Sequence, residues 1–159
     1  MESVKDRIGF KMIEAPERDG NIGPDRMVAE FTLGNTGIAL TNVCAMKGYR
    51  LILTTLVIML AERRKMLLLL GAKLDLITVL EGTLSNIARA VANIAELGDA
   101  AIPQEYANSA NPSFHRRTTA IKIWHHTDGN LDVKIAGVGA AGTLTGYTGI
   151  STDTTLVFE

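Results

Sequence analysis

A glycine-bracketed turn constrains this sequence more than any other feature. The turn, Gly34–Gly37 (Gly-Asn-Thr-Gly), ends an apolar extended stretch, Met27–Thr32, and opens a helical one, Ile38–Lys47. A strand that runs directly into a helix leaves backbone N–H groups and the positive helix end directed at one point. Such a point suits a carboxylate or a phosphate. An ordinary connecting turn would have the same four residues, so the turn alone leaves both interpretations open.

Apolar extended runs and helical segments alternate along the chain. Strands are predicted at 27–32, 49–56, 74–78, 101–104 and 131–136, and helices from Ser3 to a break at Pro16, at 35–47 with a cap at Gly48, at 61–70, after Gly82, and at 114–126. Such alternation favours parallel strands joined by right-handed crossovers. The sequence therefore predicts an α/β fold: three layers, a mostly parallel sheet of about five strands, and helices on both faces. We expect one domain over 1–159 with an irregular tail at about 147–159.

Composition and charge exclude several classes of function. The formal net charge is −1, and 16 basic residues are spread among 17 acidic ones, which argues against a nucleic-acid partner. The stretch Leu51–Leu70 is apolar, but the charged run Glu62–Lys65 inside it would be costly in a bilayer, so no membrane partner is expected. The single cysteine, Cys44, lies among apolar residues of a predicted helix, which is typical of a packed thiol in a reducing compartment. We expect a cytoplasmic protein.

A second glycine-rich turn follows the last predicted strand. It spans Gly137–Thr143, with the sequence Gly-Val-Gly-Ala-Ala-Gly-Thr. Ligands of parallel sheets lie at the carboxyl ends of the strands, where both turns fall. We therefore expect the two turns to converge at one rim of the sheet, which strengthens the hypothesis of an anion site.

The histidines do not form a metal-binding pattern. His125 and His126 are adjacent on a predicted helix, so their side chains point about 100° apart, and no carboxylate stands at the spacing that would complete a site with them or with His115. We expect no metal. The pattern further predicts a buried stripe at Phe114, Ile121 and Trp124, and solvated arginine pairs at 63–64 and 116–117.

Three stretches together resemble a known family. They are Ser3–Gly9, Thr32–Leu40 and Gly137–Gly146, and shorter stretches between them, among them Glu62–Lys65 and Asn108–Pro112, follow in the same order. These residues are similar to those of the cysteine synthases (O-acetylserine sulfhydrylases) and, more distantly, the cystathionine beta-synthases, which are fold-type-II pyridoxal-phosphate enzymes. The likeness runs from about residue 3 to residue 146.

The resemblance implies a function and a site. The function is a transferase reaction of cysteine biosynthesis, β-replacement on O-acetylserine with sulfide, in a homodimer that takes pyridoxal phosphate as cofactor and a small amino acid as substrate. It implies that Lys5 is the catalytic residue and forms the Schiff base, and that Asn35 bonds the ring hydroxyl. The implied phosphate loop consists of Gly139, Ala140, Ala141, Gly142 and Thr143, and the implied substrate-binding residues are Thr32, Gly34, Thr36 and Glu105.

Departures from the family's pattern keep two alternatives open. Leu33 stands where the family has serine, Ala140 and Ala141 where it has threonine and glycine, and Glu105 where it has the substrate-contacting glutamine. Complete family members are also longer. A second hypothesis is therefore a catalytically inactive, truncated or engineered domain of that family that acts as a structural or interaction module. A third is an interaction module whose apolar stretch Leu51–Leu60 mediates oligomerisation.

Overall fold

The computed structural model describes residues 3–23, 25–78, 83–96, 98, 100–148 and 155–158. The chain divides into two compact units, which we call the N-terminal unit (Met1–Gln104) and the C-terminal unit (Glu105–Glu159). The α/β class with parallel strands is confirmed. The described strands lie in two sheets, of four and two strands, where the sequence predicted one sheet of about five.

The N-terminal unit contains a parallel four-stranded sheet of order β3-β2-β1-β4. Its elements are α1 (Val4–Arg18), β1 (Met27–Phe31), α2 (Asn35–Lys47), β2 (Leu51–Leu56), α3 (Ala61–Leu69), β3 (Lys73–Ile77), α4 (Thr83–Ala95) and β4 (Ala100–Ala101). Phe31 is paired with Thr54, and Leu56 with Ile77. The carboxyl ends of β1, β2 and β3 therefore share one rim, and the Gly34–Gly37 turn follows β1 at that rim.

Local signals set the helix ends in this unit. The capping box at α1 is present, because the Ser3 side chain accepts a hydrogen bond from the helix and the Asp6 carboxylate accepts one from the Ser3 N–H. The predicted break at Pro16 is wrong, since α1 continues to Arg18. Proline removes one backbone hydrogen bond, and in the last turn the packed helix tolerates that loss. Gly48 ends α2 in the left-handed conformation, as predicted. Gly82 lies outside the described residues.

The core of this unit lies between the sheet and the helices. Ile8 and Met12 of α1, Leu40 of α2 and Val28 and Leu53 of the strands are fully buried. The strand β2 lies between β1 and β3 and is buried along nearly its whole length. Residues 51–56 therefore cannot form the oligomerisation surface that the apolar stretch suggested, and only residues after 56 are left for that role.

The C-terminal unit is built differently. It contains α5 (Ala110–His115), a π-helical turn (Arg116–Ala120), α6 (Ile121–His126), β5 (Val133–Ala136), α7 (Gly142–Tyr147) and β6 (Thr155–Phe158). Its helix begins at Ala110, earlier than the predicted 114, because a proline at position 112 is compatible with a first turn. The strand β6 of the tail pairs in parallel with β5. Residues 149–154 of that tail lie outside the described residues.

The predicted buried stripe of the long helix is wrong at one position. Ile121 is 40% exposed, whereas Asn111, His115 and Ala120 are buried. The π-helical turn explains the difference, because its wider winding inserts an extra residue and rotates the following side chains relative to an α-helix.

Candidate functional site

The Gly34–Gly37 turn is organised by one buried hydroxyl. The Thr32 Oγ1 atom accepts hydrogen bonds from the N–H groups of Gly34, at 3.2 Å, and Gly37, at 2.9 Å. The Thr32 carbonyl in turn accepts a bond of 2.6 Å from the Thr55 hydroxyl. A Cβ atom at Gly37 would lie 2.5 Å from the Thr32 methyl carbon, so the close approach requires glycine there. The turn is therefore fixed by contacts from within a few residues and from β2.

Two further N–H groups of this turn are not used within the part of the chain that the structure describes. Among the described residues, none accepts a hydrogen bond from the N–H groups of Asn35 or Thr36 at the start of α2. The Arg63 guanidinium lies beside the turn, since a Cβ atom at Gly34 would be 2.6 Å from its Nη1 atom. Arg63 is half-buried, so its prediction as a solvated residue is wrong. The turn thus combines N–H groups and a positive charge, which suits a carboxylate.

The helices α1 and α2 pack side by side, and their contacts define how the two are aligned. A Cβ atom at Gly9 would lie 2.9 Å from the Ala39 Cβ atom, and the Lys47 amine contacts the Glu17 carboxylate at 2.7 and 3.0 Å. Both contacts join residues thirty positions apart (39 − 9 and 47 − 17), so the helices run side by side in the same direction. Lys5 and Asn35, which are also thirty positions apart, lie in the first turns of the two helices.

The opposite end of this helix pair is held by a charged network. Glu17 accepts hydrogen bonds from the Lys47 amine and the Tyr49 hydroxyl. The bond from Lys47, followed by that from Tyr49, lowers the pKa of Glu17, and the bond to Glu17 raises the pKa of Tyr49. Cys44 is buried nearby, and burial raises the pKa of its thiol to about 12. The thiol therefore stays protonated at neutral pH and serves packing, as the sequence predicted.

The second glycine-rich turn belongs to the C-terminal unit. Gly137 and Gly139 are exposed, with no neighbouring atom within 4 Å of an added Cβ. Ala141 has a φ of 55°, in the left-handed region where a side chain is unfavourable, and it caps α7. A Cβ atom at Gly142 would lie 2.0 Å from the Asn111 Oδ1 atom, so only glycine fits there. One edge of the loop is therefore open and the other is packed against α5.

His115 supports this loop, a role that sequence reasoning missed. Its Nε2 atom lies 3.4 Å from the Thr143 hydroxyl, and its Nδ1 atom lies 3.0 Å from the Thr119 hydroxyl. His115 is buried, and a Cβ atom at Gly146 would lie 2.6 Å from its own Cβ. His115 and Thr143 are 28 positions apart, and no local sequence pattern predicts a contact between them. The described residues contain no group of three or more potential metal ligands, so we assign His115 to the loop.

A lysine–tyrosine contact links the two elements that flank the loop. The Lys134 amine of β5 lies 3.8 Å from the ring centroid of Tyr147, which is fully buried in α7. The amine has no hydrogen-bond partner among the described residues. Burial lowers the pKa of Lys134, because the charged form loses its hydration. The cation–π contact with the Tyr147 ring partly offsets this loss of hydration.

The predicted site residues therefore fall into two groups. Lys5, Thr32, Gly34, Asn35 and Thr36 belong to the N-terminal unit, where they lie at or near the amino ends of α1 and α2. The loop residues 139–143 and Glu105 belong to the C-terminal unit. Glu105 is buried, and its carbonyl accepts a hydrogen bond of 3.3 Å from the Asn111 side chain. Each group is assembled by contacts within its own unit.

Comparison with known proteins defines the class. A family described as pyridoxal-phosphate dependent enzyme matches residues 1–150, so the chain belongs to that family. It is 46% identical over 145 residues to cysteine synthase A of Escherichia coli K12, covering 91% of this chain and 45% of that protein. It is 41% identical over 145 residues to the cysteine synthase of Haemophilus influenzae, covering 91% of this chain and 46% of that protein. The chain thus spans about half the length of these relatives.

Solved structures give the same class. An O-ureido-L-serine synthase matches with a TM-score of 0.88 and 34% identity, over 98% of this chain and 51% of that one. A cysteine synthase from Entamoeba histolytica matches with a TM-score of 0.83 and 33% identity, over 94% of this chain and 44% of that one. The resemblance seen in the sequence is confirmed. Among the described residues, no helix is both long and apolar enough to cross a membrane.

Proposed function

We propose that this chain contributes a pyridoxal-phosphate site to a cysteine synthase activity, the replacement of the acetate group of O-acetylserine by sulfide. The observation that carries the proposal is the shared offset of the parallel helices α1 and α2, which puts the first turn of α1, with Lys5, at the same end of the pair as the Gly34–Gly37 turn. Membership of the pyridoxal-phosphate family and the likeness to cysteine synthases support it.

The residues present fit the cofactor. The start of α7 has N–H groups at Gly142 and Thr143 that find no acceptor among the described residues, beside an open stretch at Gly139. Within the C-terminal unit, these N–H groups and the Thr143 hydroxyl, which lies 3.4 Å from His115 Nε2, fit a phosphate, the part of the cofactor that the family resemblance assigns to this loop. Within the N-terminal unit, Asn35 has an exposed side chain at the start of α2 that would bond the ring, and the Lys5 amine would attach the cofactor, as the family resemblance implies. When bound, pyridoxal phosphate supplies an electron sink for charge that develops on the substrate.

The substrate's carboxylate is assigned to the Gly34–Gly37 turn. Thr32 and Gly34 are already bonded to each other, so their role is to shape the turn. The N–H groups of Asn35 and Thr36 are left to bind the carboxylate, and the Arg63 guanidinium adds positive charge beside them. Binding there orients the rest of the substrate relative to the Lys5 end of α1.

A spectroscopic titration tests the cofactor proposal. Pyridoxal phosphate is added to the purified chain, and we expect a new visible absorbance band that is lost in Lys5→Ala. Lys11→Ala is the matched control, because Lys11 lies on the same helix, paired with Glu14, and should keep the band. Absence of a band in the unsubstituted protein, or its survival in Lys5→Ala, would contradict the proposal.

A second candidate is a catalytically inactive interaction module. Two observations favour it: Leu33, at the carboxylate turn, is 48% exposed, and Ala141 places a Cβ where the loop adopts the left-handed conformation. This alternative expects a folded protein with no cofactor band and no cysteine formed from O-acetylserine and sulfide. The same titration, combined with that assay, separates the two candidates.

A further inference from the structure

Hydrogen bonds close the first turn of α1 around Lys5. The Ser3 Oγ atom accepts a bond of 3.1 Å from the Lys5 N–H, and the Asp6 Oδ2 atom accepts one of 3.0 Å from the Ser3 N–H. The Asp6 N–H donates to the Ser3 carbonyl at 3.1 Å. These three bonds fix the backbone at the residue that the family resemblance assigns to cofactor attachment.

The Asp6 carboxylate is enclosed by the protein. Its second oxygen, Oδ1, is buried and has no hydrogen-bond partner among the described residues. A buried acceptor without a partner costs free energy, and a capping carboxylate on an exposed helix end would not have that cost. Groups that keep such a cost are expected at functional sites. The carboxylate therefore has a defined place next to Lys5, beyond what is needed to begin a helix in water.

Tertiary packing holds the second turn of α1 more firmly than the first. Ile8 is fully buried, and a Cβ atom at Gly9 would lie 2.9 Å from the Ala39 Cβ atom of α2. In the first turn, Val4 is 60% exposed and Lys5 is half-buried. A helix end with little packing frays unless its N–H groups find acceptors. The cap is therefore the constraint that acts directly on the backbone of Lys5.

We infer that Ser3 and Asp6 are positioning residues for Lys5: by closing the first turn of α1, they hold the Lys5 amine in one place for cofactor attachment. The inference rests on the proposed function, in which Lys5 is the attachment residue. An amine reacts with an aldehyde faster when its nitrogen is held at the right distance and direction. A frayed first turn would spread the amine over many positions. Loss of the cap therefore reduces attachment at Lys5 and not at Lys11, further along the same helix.

Trapping of the cofactor at individual lysines tests the inference with the full chain. Pyridoxal phosphate is added, and borohydride then reduces the C=N bond that a lysine nitrogen and the aldehyde carbon form with loss of one water. Peptide mass mapping gives the ratio of label at Lys5 to label at Lys11. We expect Ser3→Ala to lower this ratio about two- to fivefold, since an N-cap of about 1 kcal/mol corresponds to roughly a factor of five. Hydrogen exchange in the first turn of α1 should become faster in the same variant.

Conservative variants separate positioning from general destabilisation. Ser3→Asn keeps a side-chain oxygen that caps a helix, and Asp6→Glu keeps a carboxylate at the capping-box position, so both should retain the labelling ratio. Asp6→Ala should lower it. Gly48→Ala is the matched control, because it places a Cβ at a φ of 75° at the far end of α2 and destabilises the N-terminal unit by an amount comparable to the lost cap. It should leave the ratio unchanged.

The outcomes distinguish this inference from the proposed function. Preferential labelling of Lys5 that Ser3→Ala leaves unchanged or increases would overturn the inference alone. An equal loss of the ratio in Gly48→Ala would also overturn it, since the effect would then follow stability and not position. No preference for Lys5 in the unsubstituted chain would overturn the proposed function and the inference together.

Discussion

The two glycine-rich turns of this chain follow parallel strands in the same way but are held in place by different means. The Gly34–Gly37 turn depends on Thr32, which lies within five residues of both glycines that it bonds. The Gly137–Thr143 loop depends on Asn111 and His115, which lie about thirty residues earlier in the chain. A locally fixed turn can be recognised from sequence, whereas a remotely fixed loop can be recognised only by its glycines.

The chain supplies a reporter for each unit, so the two can be compared in one sample. Trp124, the single tryptophan, lies in the C-terminal unit, and a Cβ atom at Gly129 would be 2.9 Å from its ring. Cys44, the single cysteine, is buried in the N-terminal unit with a raised pKa. Tryptophan fluorescence therefore follows unfolding of the C-terminal unit, and thiol alkylation follows opening of the N-terminal unit.

The largest effect is expected at the remotely held loop. Gly142→Ala would place a Cβ atom 2.0 Å from Asn111 Oδ1, where both residues are buried. We expect the free energy of unfolding of the C-terminal unit to fall by about 3 kcal/mol, measured by urea unfolding with Trp124 fluorescence. Gly139→Ala, in open space, is the control and should change it by less than about 0.5 kcal/mol. Equal effects of the two changes would contradict the remote packing of this loop.

A smaller effect is expected at the locally held turn. Gly37→Ala would bring its Cβ atom within 2.5 Å of the Thr32 methyl carbon and should cost the N-terminal unit about 2 kcal/mol, measured by the urea dependence of Cys44 alkylation. Because the clash involves that methyl group, Thr32→Ser in the same chain should recover part of the loss. If Thr32→Ser does not restore the free energy of unfolding, the loss comes from backbone strain and not from contact with the Thr32 methyl group.

Removal of the Thr32 hydroxyl should lower the free energy of unfolding by less than Gly37→Ala does. Thr32→Val keeps the shape of the side chain but leaves the N–H groups of Gly34 and Gly37 without their acceptor, at a cost of about 1 kcal/mol to the N-terminal unit. Thr32→Ser keeps the oxygen and should lose much less. The C-terminal reporter should not respond to either change, and a response there would show that the units unfold together.

The two units should respond oppositely to alkaline pH. The pKa of Tyr49 is raised above 10.0 by its bond to Glu17, so its contribution is complete below that pH and is lost as pH rises through the folded pKa. The pKa of Lys134 is lowered below 10.5 by burial, so its penalty applies at neutral pH and disappears as pH rises toward 10.5. Above pH 10 we expect faster Cys44 alkylation, after correction for thiol ionisation in the unfolded chain. As pH rises toward 10.5 we expect a higher urea midpoint for Trp124.

Single substitutions test which group causes each pH-dependent change in stability. Tyr49→Phe should reduce the alkaline loss in the N-terminal unit and leave the part that comes from the buried Cys44 thiol, whose pKa is raised to about 12. Lys134→Met should remove the alkaline gain in the C-terminal unit. In acid, the pKa of Glu17 lies below its usual 4.5, so its stabilisation is complete above 4.5 and is lost as pH falls from there through the lower folded value. Glu17→Gln should remove this acid-dependent loss. An unchanged pH profile in these variants would show that other groups govern the response.

Much of the N-terminal unit could be predicted because its signals are local. The capping box at Ser3, the strand-to-helix turn at Gly34 and the left-handed cap at Gly48 each depend on a few adjacent residues. Two of the three stretches that carry the family resemblance, Ser3–Gly9 and Thr32–Leu40, also lie in this unit. The predicted end of α1 at Pro16 is wrong. The effect of a proline depends on its distance from the end of the helix, and packing decides where that end lies.

The C-terminal unit was predicted less well for the opposite reason. The π-helical turn after His115 changed which side chains are buried, and neither it nor α7 had a clear periodic signal. The contacts of His115 with Thr143 and of Lys134 with Tyr147 join residues that only folding brings together. Sequence pattern therefore gave no reason to assign His115 to the loop.

The sequence by itself determined the alternation of strands and helices, the two glycine turns and the family, because these depend on neighbouring residues and on periodicity. Only the tertiary structure decided that α1 packs on α2 with an offset of thirty residues, that Arg63 lies against Gly34, and that several apolar residues after 56 are exposed. Helix register and side-chain direction follow from close packing between elements distant in the chain, and no single segment specifies them.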